Sequence, residues 1–319
     1  MRIWHLHRVR SLLVASAGGH LEELWLLRPR LTGIGDEVTW VTWDTPQSRS
    51  LLVGADRVFV RRAKPRDPRT TLANARHALQ LLARGEWDCV VSTGSLPAVP
   101  FLTVARALGI PCHFIESAAR VEDLSLAARI LERVPGVRRY VQHEAVARGS
   151  WTYRGSVFDG FSAVTAPSGP LRRVVVTVGA NGFDFRRMIA ACRRALPGSA
   201  QVLWQTGNSD VGDLGIRTRQ HLRPEELREA MEDADLVIAH AGVGSALAAL
   251  QSGHRPILIP RRRAFGEHVD DHQAELAHRL AVRGLAIACE ADALTPAVIE
   301  EGLSARVIPQ EDPAPFVLD

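Results

Sequence analysis

Short apolar runs alternate with longer amphipathic runs along almost the whole chain. The apolar runs, rich in β-branched residues, occupy 12–16, 37–42, 57–60, 89–92, 112–115 and 139–141 in the first half, then 173–178, 201–205, 236–239 and 256–260 in the second. Between them, apolar residues recur at helical spacing, as at Leu72, Ala75, Leu79 and Leu82. This alternation is typical of parallel sheets with crossover helices. The sequence therefore predicts an α/β fold with doubly wound sheets.

A stretch of small residues and prolines interrupts the alternation near the middle of the chain. Residues 162–170 read Ser-Ala-Val-Thr-Ala-Pro-Ser-Gly-Pro, a composition typical of a linker. A chain of 319 residues is long enough for two domains of ordinary size. We therefore predict an N-terminal domain over 1–165, a C-terminal domain over 171–319 and an irregular tail over the last dozen residues. Ligands of such sheets bind at the carboxyl ends of strands, so two sites are expected to face each other across a cleft.

Composition excludes several classes of protein. Hydrophobic residues make up 46% and charged residues 23% of the chain, as in a globular enzyme rather than a disordered protein. No run reaches the ~18 apolar residues of a membrane span, so any membrane contact is expected from the surface. The four cysteines are far apart, which argues against a zinc module and fits a reducing compartment. The 39 lysine and arginine residues only slightly outnumber the 35 aspartate and glutamate residues, and no nucleic-acid partner is predicted.

A glycine pair follows the first predicted strand. Residues 16–21 read Ser-Ala-Gly-Gly-His-Leu. Gly18 and Gly19 allow the backbone to approach a ligand, and the helix that follows offers unpaired N–H groups to an anion. His20 at its start has a near-neutral pKa suited to a general base acting on an acceptor hydroxyl. The alternative is a histidine without a role at a helix N-terminus.

A second turn of this kind follows the strand over 89–92. Residues 92–95 read Ser-Thr-Gly-Ser and open a helix. The hydroxyl and N–H groups of Thr93, Gly94 and Ser95 are suited to a diphosphate or a sugar. An ordinary capped turn between strand and helix is the alternative.

The C-terminal half carries a Gly-x-Gly turn. Residues 240–245 read His-Ala-Gly-Val-Gly-Ser after an apolar strand. Such a turn at a helix start forms a diphosphate cradle, with Ser245 as an additional donor. It lacks the third glycine of the dinucleotide fingerprint and the Walker lysine, which argues against a dinucleotide enzyme or an NTPase. The alternative is a turn that only packs a helix against the sheet.

A polar segment follows the strand over 256–260. Residues 266–273 read Gly-Glu-His-Val-Asp-Asp-His-Gln and lead into a predicted helix. Glu267 is expected to accept hydrogen bonds from ribose or sugar hydroxyls, and Gln273 to present its amide to the donor sugar. A solvated loop is the alternative. We find no clear ligand triad here and predict no metal. The arginines at 261–263 are expected either to contact phosphate or to lie on an exposed loop.

Together these motifs resemble a family of sugar transferases. Residues 16–21, 92–95 and 114–117 (Phe-Ile-Glu-Ser) resemble the membrane-recruiting, acceptor-side subunit of the two-part UDP-N-acetylglucosamine transferase of dolichol-linked oligosaccharide synthesis, a half shared by bacterial exopolysaccharide enzymes. Residues 176–179, 183–184, 205–207, 240–245 and 267–273 resemble its catalytic partner subunit and the C-terminal domain of glycosyltransferase family 28. The resemblance covers roughly residues 10–285.

The resemblance implies a fusion of the two halves with a GT-B fold, in which two Rossmann-like domains face each other. It also implies inverting transfer without metal or cofactor, with a UDP-sugar held mainly by the C-terminal domain. The implied donor-binding residues are Gly179, Asn181, Gly242, Val243, Gly244, Ser245, Glu267, His272 and Gln273. On the acceptor side they are the base His20 with Gly18, Gly19, Thr93, Gly94, Ser95 and Glu116. Two features depart from the family: Ala248 stands where its ribose-binding Glu is expected, and the chain shows no N-terminal membrane anchor.

We therefore predict a soluble hexosyltransferase that transfers a sugar, N-acetylglucosamine by preference, from UDP to a lipid-linked or polysaccharide acceptor. Its expected location is the cytoplasm, with peripheral contact to the inner face of the plasma membrane left open. A nucleotide-sugar epimerase or hydrolase on the same scaffold remains an alternative. So do a transferase acting on a soluble natural product and a non-catalytic sugar-binding module.

Overall fold

The computed structural model describes residues 9–62, 67–167, 169–180 and 182–319. They form two compact units: one runs up to Val157 and includes Ala314–Asp319, and the other is Phe158–Pro313. This division differs from the predicted domains 1–165 and 171–319. The reason is that residues 161–165 pair as a strand within the second unit, whereas the last six residues pack in the first.

The first unit contains a seven-stranded parallel sheet. Its strands are β1 (Arg10–Ala15), β2 (Glu37–Trp43), β3 (Asp56–Val60), β4 (Cys89–Gly94), β5 (Cys112–Ile115), β6 (Val137–Val141) and β7 (Trp151–Tyr153). The helices are α1 (Gly19–Leu27), α2 (Pro46–Leu51), α3 (Pro68–Leu82), α4 (Ala98–Ala107) and α5 (Leu126–Leu131). The strand order is β3-β2-β1-β4-β5-β6-β7. The winding therefore reverses between β1 and β4, which is where ligands bind in such sheets.

The second unit contains a six-stranded parallel sheet and a separate two-stranded ladder. Its strands are β8 (Phe161–Thr165), β9 (Arg173–Thr177), β10 (Gln201–Gln205), β11 (Thr218–Arg219), β12 (Leu236–His240), β13 (Ile257–Ile259), β14 (Ile287–Ala288) and β15 (Ala305–Pro309). The helices are α6 (Arg186–Ala195), α7 (Pro224–Glu232), α8 (Val243–Gln251), α9 (His272–Val282) and α10 (Pro296–Leu303). The order β11-β10-β9-β12-β13-β14 repeats the winding of the first unit and puts the reversal between β9 and β12.

One strand at each reversal is buried along its whole length. Every residue of β4 and every residue of β12 is buried. Helices cover both faces of such a sheet, so its central strands are apolar throughout rather than alternating. The predicted α/β fold with doubly wound sheets is confirmed.

Of two sequence predictions about irregular segments, the linker is wrong where it overlaps a strand, and the tail is borne out in its irregular backbone. The predicted linker at 162–170 overlaps β8, which forms an antiparallel ladder with β15. The predicted tail is irregular in backbone but packed, because Phe316 is fully buried and its N–H donates to the Arg30 carbonyl at 2.8 Å. Among the described residues, no helix combines the length and the apolar character that a membrane crossing requires.

Candidate active site

The turn after β1 is shaped by a glycine and fastened by a glutamine from α2. Gly18 has φ 106°, a conformation that side chains rarely adopt. Its N–H donates to Gln47 Oε1 at 2.5 Å, and Gln47 Nε2 donates back to the Gly18 carbonyl at 3.3 Å. The Gly18 N–H is therefore engaged within the protein, contrary to the expected role as an open donor to an anion. Gly18 shapes the turn that leads to Gly19 and His20, the first two residues of α1.

His20 is joined to the turn after β4 by two hydrogen bonds. Thr93 Oγ1 donates to the His20 carbonyl at 2.7 Å, and His20 Nδ1 lies 2.9 Å from the Thr93 carbonyl. A carbonyl only accepts, so Nδ1 carries the proton and Nε2 keeps its lone pair. Burial lowers the pKa of His20, with the charge of Arg120 as a lesser cause, which keeps the imidazole neutral. The sequence-predicted base is thus held in the tautomer that can accept a proton through Nε2.

The turn after β4 approaches the His20 ring closely. Gly94 has φ 106°, and a Cβ placed there would lie 3.5 Å from His20 Cε1 and 3.4 Å from Phe114. Ser95 has φ 67°, and no other non-glycine residue in the described ranges has a positive φ. Strained backbone of this kind clusters at functional sites. The structure therefore brings together Thr93, Gly94 and His20 at the winding reversal of the first sheet.

Glu116 does not reach this site as an open carboxylate. It is 1% exposed, and its oxygens accept from the N–H groups of Ser117 at 2.9 Å and Ser125 at 2.7 Å. Burial raises the pKa of Glu116. The predicted acceptor contact is therefore corrected: these bonds fasten the loop between β5 and α5.

The sequence analysis missed a second buried acid, Glu23 on α1. Glu23 accepts from Ser117 Oγ at 2.6 Å, from the Ala118 N–H and from Gln142 Nε2, both at 2.9 Å. Burial raises the pKa of Glu23 to about 8. The sequence feature that could have revealed Glu23 is its position beside Leu24 on the apolar face of α1. A charged residue on such a face requires buried partners.

In the second unit, the turns after β9 and β12 enclose a buried histidine. A Cβ at Gly179 would lie 2.3 Å from His240 Cε1, and one at Gly242 would lie 2.4 Å from His240 Nε2. Burial and the nearby charge of Arg261 lower the pKa of His240 well below its usual value, so the ring is neutral. Both glycines are therefore required by the close approach of this ring. The predicted donor residues Gly179 and Gly242 meet at the second winding reversal.

The start of α8 is an open set of N–H donors. Val243, Gly244 and Ser245 form the first turn, and Gly242 at the N-cap provides no side-chain cap. The first N–H groups of a helix lack partners within the helix, and the helix dipole favours an anion there. The diphosphate cradle stays a prediction, with which this uncapped helix start is compatible.

Glu267 is not available to a ribose. It is 7% exposed and accepts from Arg187 Nε at 2.9 Å, Arg187 Nη2 at 2.8 Å and the Arg262 N–H at 3.0 Å. Its predicted donor contact is therefore corrected: a bidentate ion pair fixes the loop after β13 to α6. The sequence did not reveal this partner, because Arg187 is 80 residues away in an amphipathic helix.

We expect Glu267→Ala to lower the free energy of unfolding by about 2 kcal/mol, because it removes the charge-assisted hydrogen bonds to Arg187. Arg187 then keeps only the Pro260 carbonyl and the more distant Glu290. The exposed pair of Arg186, on the same helix, with Asp213 is the control, with side chains 39% and 65% exposed. Asp213→Ala should leave the free energy of unfolding close to that of the wild type, because exposed ion pairs contribute little. Urea unfolding of the two variants measures both values, and equal losses would contradict the structural role of Glu267.

Gln273 and His272 open α9. Gln273 is 1% exposed, and its Oε1 accepts from the Arg261 N–H at 3.1 Å, so only its amide nitrogen is left for a sugar. Arg261 is fully buried, and its Nη2 donates to the carbonyls of Val178 and Phe183. The alternatives of a phosphate contact or an exposed loop are therefore both wrong for Arg261. Asn181 lies outside the described residues.

His272 belongs to a side-chain cluster that the sequence analysis did not recognise. His268, Asp270 and His272 each place one potential ligand atom within 4.8 Å of the others. The statement that this segment contains no ligand triad is therefore wrong.

Comparison with known proteins identifies the unit that carries this second site. Residues 173–314 match the glycosyltransferase family 28 C-terminal domain. The match covers 142 of the 319 residues, in the C-terminal part of the chain. It includes the His240 turn, the start of α8 and the segment 266–273. The predicted resemblance to family 28 is confirmed for these residues.

Three curated relatives extend the family 28 match. A UDP-N-acetylglucosamine–N-acetylmuramyl-(pentapeptide) pyrophosphoryl-undecaprenol N-acetylglucosamine transferase of Synechococcus sp. (strain JA-2-3B'a(2-13)) is 31% identical over 66% of this chain, and this chain spans only 61% of its length. The transferase of the same name from Methylococcus capsulatus is 26% identical over 86% of this chain and 83% of its own length. The mouse UDP-N-acetylglucosamine transferase subunit ALG13 is 31% identical over 37% of this chain and 11% of its own.

Solved structures resemble both units of the chain in fold. MurG of Acinetobacter baumannii has a TM-score of 0.56 at 20% identity, covering 92% of this chain and 89% of its own. The glycosyltransferase SnogD of Streptomyces nogalater has a TM-score of 0.58 at 19% identity, covering 93% and 91%. These likenesses confirm the predicted GT-B fold class.

Proposed function

We propose that the chain is an inverting, metal-independent hexosyltransferase. It transfers a sugar from a UDP-sugar, UDP-N-acetylglucosamine by preference, to a lipid-linked or polysaccharide acceptor. The observation that carries the proposal is that each unit places a glycine turn and an open helix start at the winding reversal of its sheet. The first of these turns holds a neutral histidine, and the second presents uncapped N–H groups.

In the proposed reaction, His20 acts as the base. Nε2 of His20 accepts the proton of an acceptor hydroxyl while the hydroxyl oxygen attacks the anomeric carbon of the donor sugar. The bond from that carbon to the diphosphate oxygen breaks, and UDP leaves from the opposite face, so the configuration inverts. The Nδ1–H bond to the Thr93 carbonyl stabilises the imidazolium formed in this step.

The start of α8 would bind the leaving group. The N–H groups of Val243, Gly244 and Ser245 lie in the first turn of a helix without a side-chain cap, and the helix dipole favours the charge that develops on the diphosphate. This electrostatic role is the reason for proposing that no metal and no cofactor is needed. His272 and the amide nitrogen of Gln273 would contact the donor sugar.

The choice of donor and acceptor rests on the relatives. The names of the Synechococcus, Methylococcus and mouse proteins all specify N-acetylglucosamine transfer, and two of them specify a pyrophosphoryl-undecaprenol acceptor. We propose by analogy a lipid-linked acceptor at the cytoplasmic face of a membrane, with an exopolysaccharide product. We also propose that the first unit corresponds to the acceptor-side partner of an ALG13-like half.

The test is a panel of UDP-sugars with purified protein and a polyprenyl-diphosphate sugar as acceptor. We expect UDP-N-acetylglucosamine to raise the melting temperature most and UDP release to depend on the acceptor. A ligand at 100 times its Kd stabilises the fold by about 2.7 kcal/mol. Turnover of the UDP-sugar without acceptor would instead support an epimerase or hydrolase. The absence of binding by any UDP-sugar would overturn the proposal.

A further inference from the structure

Three side chains of the segment before α9 converge on one point. His268, Asp270 and His272 alternate along the chain, and His272 is the first residue of α9. His268 Nδ1 lies 3.2 Å from Asp270 Oδ1, and His272 Nδ1 hydrogen-bonds the same oxygen. One ligand atom from each side chain lies within 4.8 Å of the other two. We propose that these three residues form a binding site for Zn²⁺ and that zinc there excludes the donor sugar.

The donor set suits zinc. Two imidazole nitrogens and one carboxylate oxygen are a set that binds Zn²⁺ in tetrahedral sites with a fourth, open position. Bonds of about 2.0–2.1 Å in that geometry separate the ligand atoms by roughly 3.3 Å. The most widely separated ligand atoms therefore need to approach by about 1.5 Å at most, while His268 Nδ1 and Asp270 Oδ1 are already 3.2 Å apart. The His272–Asp270 pair is hydrogen-bonded and has to open slightly. Rotation of the two imidazoles about their side-chain torsions provides both changes. The negative charge of Asp270 offsets part of the charge of the ion.

The rings are held near this arrangement by packing. The His268 ring lies 5.0 Å from the Phe183 ring and meets the His272 ring edge to face at 4.7 Å, measured between centroids. The His268 and His272 side chains are only 11% and 15% exposed. Partial burial strengthens metal coordination by limiting competition from water, while the remaining exposure leaves a route for the ion.

Zinc at this position would compete with the donor sugar. His272 lies next to Gln273, and both are proposed donor-sugar contacts. An imidazole that ligates zinc cannot also hydrogen-bond a sugar through the same nitrogen. This consequence rests on the proposed function, whereas zinc binding itself does not.

The test is titration of the full chain with ZnCl2 in a non-chelating buffer, followed by calorimetry. We expect one ion per chain, and binding at least about tenfold weaker in His268→Ala, Asp270→Asn and His272→Ala, since even residues outside the ligand set change metal affinity 10- to 100-fold. His278 is an exposed histidine on the same helix, and His278→Ala is the matched control with unchanged affinity. Melting curves without zinc verify that each variant is folded, and Asp270→Asn preserves the shape of its side chain.

A second titration measures UDP-N-acetylglucosamine binding with and without one equivalent of zinc. We expect zinc to weaken donor binding in the wild type but not in His268→Ala. Zinc binding of equal strength in the wild type and the three ligand variants would overturn the site. The absence of a one-to-one complex in the wild type would also overturn it. Zinc binding with no UDP-sugar binding under any condition would sustain the zinc site and overturn the proposed function instead.

Discussion

Replacement of His20 by alanine is expected to lower kcat by about 10²- to 10⁴-fold, the contribution of a positioned general base. KM for the donor should change little, because the donor is proposed to bind the other unit. The His20 Nδ1–H is hydrogen-bonded to the Thr93 carbonyl at 2.9 Å, so Nε2 is the nitrogen that accepts the proton. The alanine variant lacks this nitrogen. Steady-state kinetics with saturating acceptor and varied donor measure both parameters.

The pH profile provides an independent check on the same residue. A base is active when deprotonated, and burial lowers the pKa of His20 below its usual 6.5. Activity should therefore rise through a pKa below 6.5 and stay level from there to neutral pH. The control variant is Gln47→Ala. It loosens the Gly18 turn but retains His20, so we expect its pH profile to have the same shape as that of the wild type. A His20→Ala variant with wild-type kcat would contradict the assignment.

Replacement of Gly242 by alanine is expected to weaken UDP binding by about 10- to 100-fold, or about 1.4–2.7 kcal/mol. The added Cβ would lie 2.4 Å from His240 Nε2, a distance that real contacts do not show. The buried ring has no room to withdraw, so the start of α8 must shift and its N–H groups lose their alignment with the diphosphate. Calorimetric titration with UDP measures the effect.

Two further variants separate this effect on UDP binding from a general effect of the substitution on folding. Gly198 lies in open space in the same unit, and Gly198→Ala should bind UDP normally. Combining Gly242→Ala with His240→Ala removes the overlap, so the double variant should recover part of the lost affinity. If Gly242→Ala binds UDP as the wild type does, the start of α8 is not the diphosphate site.

The glycine turns after apolar strands were predictable because they depend on local chemistry, and both pairs of turns meet at a winding reversal. Local chemistry did not separate a ligand site from a packing turn, and Gly179 and Gly242 do pack against His240. The sequence could not show which polar groups are already engaged. Glu267 is paired with an arginine 80 residues away, and Glu116 is occupied by N–H groups of its own loop.

Partners that are distant in sequence also explain the errors in the fold. Residues 162–165 are typical of a linker in composition, yet they form β8 because β15, about 140 residues later, supplies the matching strand. The carboxyl oxygens of the buried acid Glu23 accept hydrogen bonds from Ser117 and Gln142, which follow β5 and β6. Such pairings are set by tertiary packing, which overrides local propensity.

The central claim is that the start of α8 holds the diphosphate of a UDP-sugar through backbone N–H groups. A crystal structure of the chain with UDP tests it most directly. We predict diphosphate oxygens within about 3 Å of the backbone nitrogens of Val243, Gly244 or Ser245. A diphosphate bound instead at the Gly18–His20 turn, or away from α8 altogether, would contradict the claim.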